Sequence, residues 1–172
     1  MINEYARILT RDTDFSVTNS YFFELLRDMY RVHCYDVGKV EGIMRLAGVD
    51  PECGKMAVPV CWNGSHWSCA VVNRTNASIQ YYDSQGTMRA SEVFTTLHYF
   101  LESQYDDPTP ATESSEETPR IPAEDSGPGT LFLLRCLALN HPAIWTDESI
   151  TRTRRLLALE IKRGCVLSPN MP

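Results

Sequence analysis

Residues 57–86, AVPVCWNGSHWSCAVVNRTNASIQYYDSQG, constrain the fold more than any other part of the chain. Three β-rich runs, 56–61, 67–73 and 78–83, are crowded with Val, Ile, Tyr and Trp and closed by turn residues. The Trp62-Asn63-Gly64-Ser65 turn ends the first run, and Arg74, Thr75, Asn76 and Ala77 form a loop of hairpin length after the second. Pairing Asn73 with Ser78 sets Ser68 opposite Asp83 and His66 opposite Gln85. Side chains alternate between faces, so His66 shares a face with Ser68 and lies diagonal to Asp83. Diagonal neighbours are about 7–8 Å apart at Cα, close enough for an imidazole to reach a carboxylate. A slip of one residue would separate them. A His oriented by a carboxylate supplies two parts of a nucleophilic triad.

The wording around the pair is specific. A Pro-containing strand, a turn, His66-Trp67, alternating apolar residues and Tyr81-Tyr82-Asp83-Ser84 resemble the ubiquitin-like-protein (SUMO/sentrin-specific) protease family. The resemblance implies an α+β, papain-like cysteine protease fold shared with the adenovirus protease. Its central mixed sheet is flanked by helices and includes a buried central helix. It also implies that His66 and Asp83 match the catalytic His and Asp, and that Trp67 covers the substrate tail. A Trp-Leu-x-Asp signature of that family clamps the di-glycine tail and contacts the ubiquitin-like protein. Here Phe15 falls at the Trp position and Thr18 at the Asp position. Phe15 and Trp67 are therefore expected to wall a substrate-tail groove, without the acidic contact.

The third member of the triad is missing. In the resembled family a Gln, a Gly-containing turn and Asp-Cys-Gly lead into the central helix. Unpaired N–H groups and the helix dipole stabilise a thiolate there, and the Gln donates to the oxyanion. The corresponding stretch is IPAEDSGPGTLFLLRC. Aligned without gaps from Pro122, Glu124 takes the oxyanion position and Thr130 that of the nucleophile. Aligned on the following Gly, taken as Gly129, Pro128 takes the nucleophile position. Neither carries a sulfur. Thr130 reads as the N-cap of the central helix. Cys136 is six residues further on, about 9 Å along the axis. A Glu124 carboxylate would oppose a developing oxyanion.

These positions lead us to expect a pseudoprotease: vestigial His66, Asp83, Thr130 and Glu124, no activity, and a surface used for binding a protein. The partner expected is a ubiquitin-like modifier or a subunit of a larger complex. The alternative is an active SUMO- or ubiquitin-like-specific cysteine-type peptidase or isopeptidase with an unrecognised nucleophile. Some bacterial relatives of the fold transfer acetyl groups, but that chemistry needs the same Cys.

The rest of the chain bounds these readings. A length of 172 residues suits one domain, 1–172. The periodicity predicts helices over 15–33, with Asp14 or Thr18 near its start, and over 37–49, 91–105 and 145–163. Arg152, Arg154 and Arg155 are read as an outward, solvated face and His98 as a partly covered structural residue. Residues 130–140 are apolar nearly all round, as a buried helix requires. Residues 106–120, DDPTPATESSEETPR, carry no apolar periodicity and read as an acidic, mobile surface loop. The net charge of −6 is concentrated near it, since residues 106–125 hold seven acidic side chains against Arg120 alone. No basic stripe favours nucleic acid. No stretch is long and apolar enough to span a membrane, and the first fifteen residues lack a signal-peptide core. Cys34, Cys53, Cys61, Cys69, Cys136 and Cys165 form no CxxC or zinc-like spacing, so neither metal nor cofactor is expected. Free thiols in apolar runs suit a reducing, intracellular setting, nucleus or cytoplasm. There the glycosylation-like triplets at Asn63, Asn73 and Asn76 are chance.

Overall fold

The computed structural model describes residues 1–32, 36–50, 52–86, 88–104, 112–116, 118, 120–144 and 147–167. Its centre is the predicted pair of hairpins: β2 (Lys55–Trp62), β3 (His66–Asn73) and β4 (Ser78–Tyr82). Two further strands complete a mixed sheet of order β1-β2-β3-β4-β5, with β1 (Ser16–Val17) and β5 (Thr112–Glu116) each parallel to its neighbour. Helices α2 (Phe22–Arg31), α3 (Val37–Leu46) and α4 (Ala90–Gln104) cover one face. The other is covered by α1 (Ile2–Asp12), α5 (Ser126–Ala138) and α6 (Asp147–Arg163). This is the expected α+β arrangement.

The strand period explains how one sheet serves two cores. Met56, Val58, Val60, Trp62, Ala70, Val72, Ile79 and Tyr81 point toward α2–α4, while Ala57, Cys69 and Val71 point toward α1, α5 and α6. A sheet buried on both faces reads as near-continuous apolar runs, as β2 and β3 do.

Several predicted elements shift. The helix expected over 15–33 begins only at Phe22, because Ser16 and Val17 pair with Met56 and Ala57 as β1. The Thr18 N–H extends that pairing to the Ala57 carbonyl at 2.9 Å. Backbone pairing to a distant strand overrides a local helical pattern. Within α2 the buried residues are Phe22, Phe23 and Leu26, whereas Leu25 is exposed. Helix α1, not anticipated, buries Tyr5, Ala6, Ile8 and Leu9.

The acidic segment is also corrected. Residues 112–116 form β5, paired residue for residue with Ser78–Tyr82. Main-chain hydrogen bonds anchor this segment, not apolar burial, and His98 Nε2 on α4 adds a 2.7 Å contact to Glu113 Oε1. Residues 106–111, 117 and 119 of the expected loop lie outside the described residues.

The central helix α5 starts four residues earlier than predicted. Gly127, Pro128 and Gly129 look like a breaker, yet Pro fits a first helical turn, where its missing N–H has no partner to lose. Thr130 is therefore inside the helix, and Asp125 is the N-cap residue.

Candidate functional site

The His66 end of the sheet is built by two turns. Asn63 (φ 51°) and Gly64 (φ 70°) both lie in the left-handed region, as a tight hairpin with primed geometry requires. They bring His66 opposite Trp62. At the far end of β3, Asn73 Oδ1 accepts from the Thr75 and Asn76 amides at 3.0 and 3.3 Å, a side-chain-stabilised turn. That turn sets Asn73 opposite Ser78 and carries the register to Cys69 opposite Tyr82.

One residue beyond Tyr82 and three before Cys69, the register delivers its product. His66 Nε2 lies 2.7 Å from Asp83 Oδ1. The Gln85 N–H donates to the same oxygen at 2.8 Å, and the Tyr81 hydroxyl donates to Oδ2 at 2.8 Å. Asp83 thus receives several donors and is nearly enclosed. The other imidazole nitrogen, Nδ1, is buried and has no hydrogen-bond partner among the described residues.

The N-terminus of α5 abuts this end. Ser126 Oγ accepts from the Trp67 N–H at 3.1 Å and donates to the Ala123 carbonyl at 2.8 Å. Ser126 is 1% exposed. Gly127 lies against the Trp67 indole: an added Cβ would stand 3.3 Å from Cδ1. Asp125, in the 3-10 turn Ala123–Asp125, is gripped by Arg154 through Nε at 2.9 Å and through Nη2. One of the three outward arginines therefore braces the start of the helix.

This geometry adds Ser126 to Thr130 and Pro128 as a candidate for the nucleophile position. Asp125-Ser126-Gly127 reads as Asp-Cys-Gly with oxygen in place of sulfur, in the first turn of the central helix and bonded to the residue that follows His66. Thr130 is one turn further in and lines a small apolar cavity with Tyr82, Ile121 and Leu133; Pro128 lies between the two. Glu124 is exposed in the 3-10 turn, two residues before Ser126. The six-residue spacing that linked it to Thr130 now leads from Ser126 back to Arg120. Arg120 shares a polar cavity of about 330 Å³ with Asp83, Ser84, Gln85 and Glu116. The sequence carries Asp125-Ser126-Gly127 as an Asp-x-Gly triplet, which a helix beginning at Thr130 leaves outside the first turn.

Phe15 and Trp67 are not brought together. Phe15 is 5% exposed within the α1/α5 core, with Lys55 Nζ 5.4 Å from its ring. Trp67 pairs with Cys61, six residues along β2 from Lys55, or about 20 Å at 3.3 Å per residue. Thr18 is wholly buried. The groove expected between Phe15 and Trp67 is thus replaced by a core position and a site position.

Burial raises the thiols of Cys53, Cys61, Cys69 and Cys136 above the ordinary cysteine value. Among the described residues no group of three or more His, Cys, Asp or Glu side chains is placed to hold a metal ion, and no helix is long and apolar enough to cross a membrane.

Comparisons with known proteins extend this picture. A family model described as Ulp1 protease family, C-terminal catalytic domain, matches residues 52–168. Among solved structures, the C-terminal Ulp1 protease domain in complex with Smt3, the yeast ortholog of SUMO, superposes with a TM-score of 0.78 at 21% identity, covering 95% of this chain and 75% of that one. SUMO protease Ulp1 with its catalytic cysteine oxidised to a sulfenic acid gives 0.76 at 19% identity, covering 93% and 74%. A Ulp1-like SUMO protease catalytic domain from Chaetomium thermophilum gives 0.66 at 21%, covering 97% and 70%. At these identities the structural likeness concerns the fold. No curated protein sequence matches the chain.

Proposed function

The chain belongs to the Ulp1 protease family, and we propose that it is a catalytically inactive member acting as a protein-binding domain. One observation carries the proposal: the first turn of α5 presents Ser126, and the nearest thiol on that helix, Cys136, is buried ten residues on. A cysteine at such a helix N-terminus beside an imidazole is readily ionised. A serine hydroxyl instead has to surrender its proton to a base as it attacks. Here that proton is held by the Ala123 carbonyl and the oxygen is enclosed. Glu124, exposed two residues before Ser126, plays no part in this reading.

The partner we propose is a ubiquitin-like modifier, supported by the similarity to a protease domain solved with Smt3; a subunit of a larger complex is the competing partner. Cys53, Cys61, Cys69, Cys136 and Cys165 are unpaired, which supports an intracellular, reducing location. The test is twofold. Fluorogenic SUMO- and ubiquitin-derived substrates should not be turned over, while immobilised SUMO should retain the domain. Turnover that survives repurification and disappears in Ser126→Ala would overturn inactivity and establish the alternative, a working peptidase. Failure of SUMO and other ubiquitin-like modifiers to bind would move the partner to an unrelated subunit.

A further inference from the structure

Four polar groups stand in a row behind His66. Trp62 Nε1–H donates to Ser68 Oγ at 2.9 Å. Ser68 Oγ and the Tyr81 hydroxyl are 3.1 Å apart, and the Tyr81 hydroxyl reaches Asp83 Oδ2 at 2.8 Å. Trp62, Ser68 and Tyr81 are all buried. Trp62 is itself held, with the Arg89 guanidinium 4.6 Å from its ring and Phe23 packed edge-on.

The donor inventory sets the proton order. An indole N–H can only donate. Burial raises the Tyr81 phenol above its ordinary value, so it keeps its single proton. That proton goes to the charged acceptor, Asp83, in the stronger, charge-assisted bond. Ser68, having accepted from Trp62, gives its own proton to the Tyr81 oxygen. Every donor in the row then points toward Asp83. Oδ1 receives the Gln85 N–H and His66 Nε2. An ionised carboxylate only accepts, so the neutral imidazole carries its proton on Nε2. Nδ1 is left as a buried lone pair without a partner among the described residues.

We propose that Tyr81, backed by Ser68 and Trp62, is a positioning residue that sets the tautomer of His66 and keeps Nδ1 an open acceptor. This deepens the reading of His66 and Asp83 as the family's pair, and its first test is independent of what occupies the nucleophile position. Without the Tyr81 proton, Oδ2 loses its anchor in the wall, the carboxylate is free to turn, and either imidazole nitrogen can carry the proton.

The experiment is two-bond ¹H–¹⁵N correlation spectroscopy on the labelled domain, with the His66 signals assigned by His66→Gln. The native protein should show a protonated Nε2 and an unprotonated Nδ1. Tyr81→Phe should populate both tautomers, and Ser68→Ala should do so to a lesser degree. A purely structural Tyr81 would lower the melting temperature and leave the His66 signals in place. That result, or a native Nδ1–H, overturns the proposal; if Tyr81→Phe does not fold, Ser68→Ala decides. A second arm compares iodoacetamide alkylation of Ser126→Cys with that of Ser126→Cys/Tyr81→Phe, expected to be several-fold slower. An unchanged rate in the double variant counts against the proposal. A Ser126→Cys thiol of ordinary reactivity counts instead against placing Ser126 at the nucleophile position, and leaves the spectroscopic test standing.

Discussion

Two buried polar clusters in this molecule are built alike and finished differently. In the first, the Glu160 carboxylate on α6 is wholly enclosed. It accepts from the Tyr5 hydroxyl on α1, from Arg135 Nε on α5 at 3.0 Å and from the Leu167 N–H at 2.8 Å. Arg135 Nη2 closes the ring on the Leu167 carbonyl at 2.7 Å. In the second, Asp83 is as fully supplied with donors, but His66 Nδ1 has no partner among the described residues. The closed cluster ties three helices and the segment after α6 together. The open one keeps an unsatisfied acceptor, which ordinarily costs about 1–3 kcal/mol. Such a cost is tolerated where a site was shaped for chemistry.

The largest effect should come from breaking the closed cluster. Glu160→Ala leaves the Arg135 charge buried and uncompensated, a loss of about 3–5 kcal/mol, read as a lower urea midpoint. Glu160→Leu with Arg135→Leu should recover much of that loss, because no orphaned charge remains. If the double variant is no better than the single one, the cluster contributes more than mutual compensation of its charges.

At the open cluster, Ser126→Cys should make a reactive thiol. The helix N-terminus and His66 should both lower its pKa below about 8.5, whereas burial raises Cys53, Cys61, Cys69 and Cys136. Burial disfavours the thiolate, so these four should be alkylated appreciably only above neutral pH. The new thiol should react at pH 7, at least about tenfold faster than any of them. Mass spectrometry of alkylated peptides tells the sites apart.

A smaller difference separates the two members of the His–Asp pair. Asp83→Ala strands the Tyr81 hydroxyl and the Gln85 amide, costing about 1–3 kcal/mol. His66→Ala removes the unpartnered nitrogen along with the partnered one and should cost less. Equal losses in thermal denaturation would mean that Nδ1 is satisfied in solution, and the contrast between the clusters would narrow.

Smallest of all should be His98→Ala. The pair with Glu113 is half exposed, and such pairs contribute about 0–1 kcal/mol. A larger loss would show that β5 depends on this side chain as well as on its pairing with β4.

The sequence by itself determined the two hairpins and what they carry. Asn63-Gly64, the Asn73 turn and the two-residue period act over a few residues, so the register placing His66 beside Asp83 followed from local chemistry. Helix α4 and most of α6 were legible for the same reason, since a regular apolar stripe needs no distant partner to be recognised. Tertiary structure decided the rest. Strands β1 and β5 exist because their backbones pair with β2 and β4, and nothing within Ser16–Val17 or Thr112–Glu116 announces that partner. The first turn of α5 is helical through a Gly-Pro-Gly run because Gly127 meets Trp67, Gly129 lies under Ile121 and Arg154 holds Asp125. That packing put Ser126, and not Thr130, beside the His66 strand. Phe15 left the expected groove because β1 runs parallel to the beginning of β2 and so lies at the far end from Trp67. In each case the deciding contact joins residues far apart in the chain, and local pattern holds no record of such contacts.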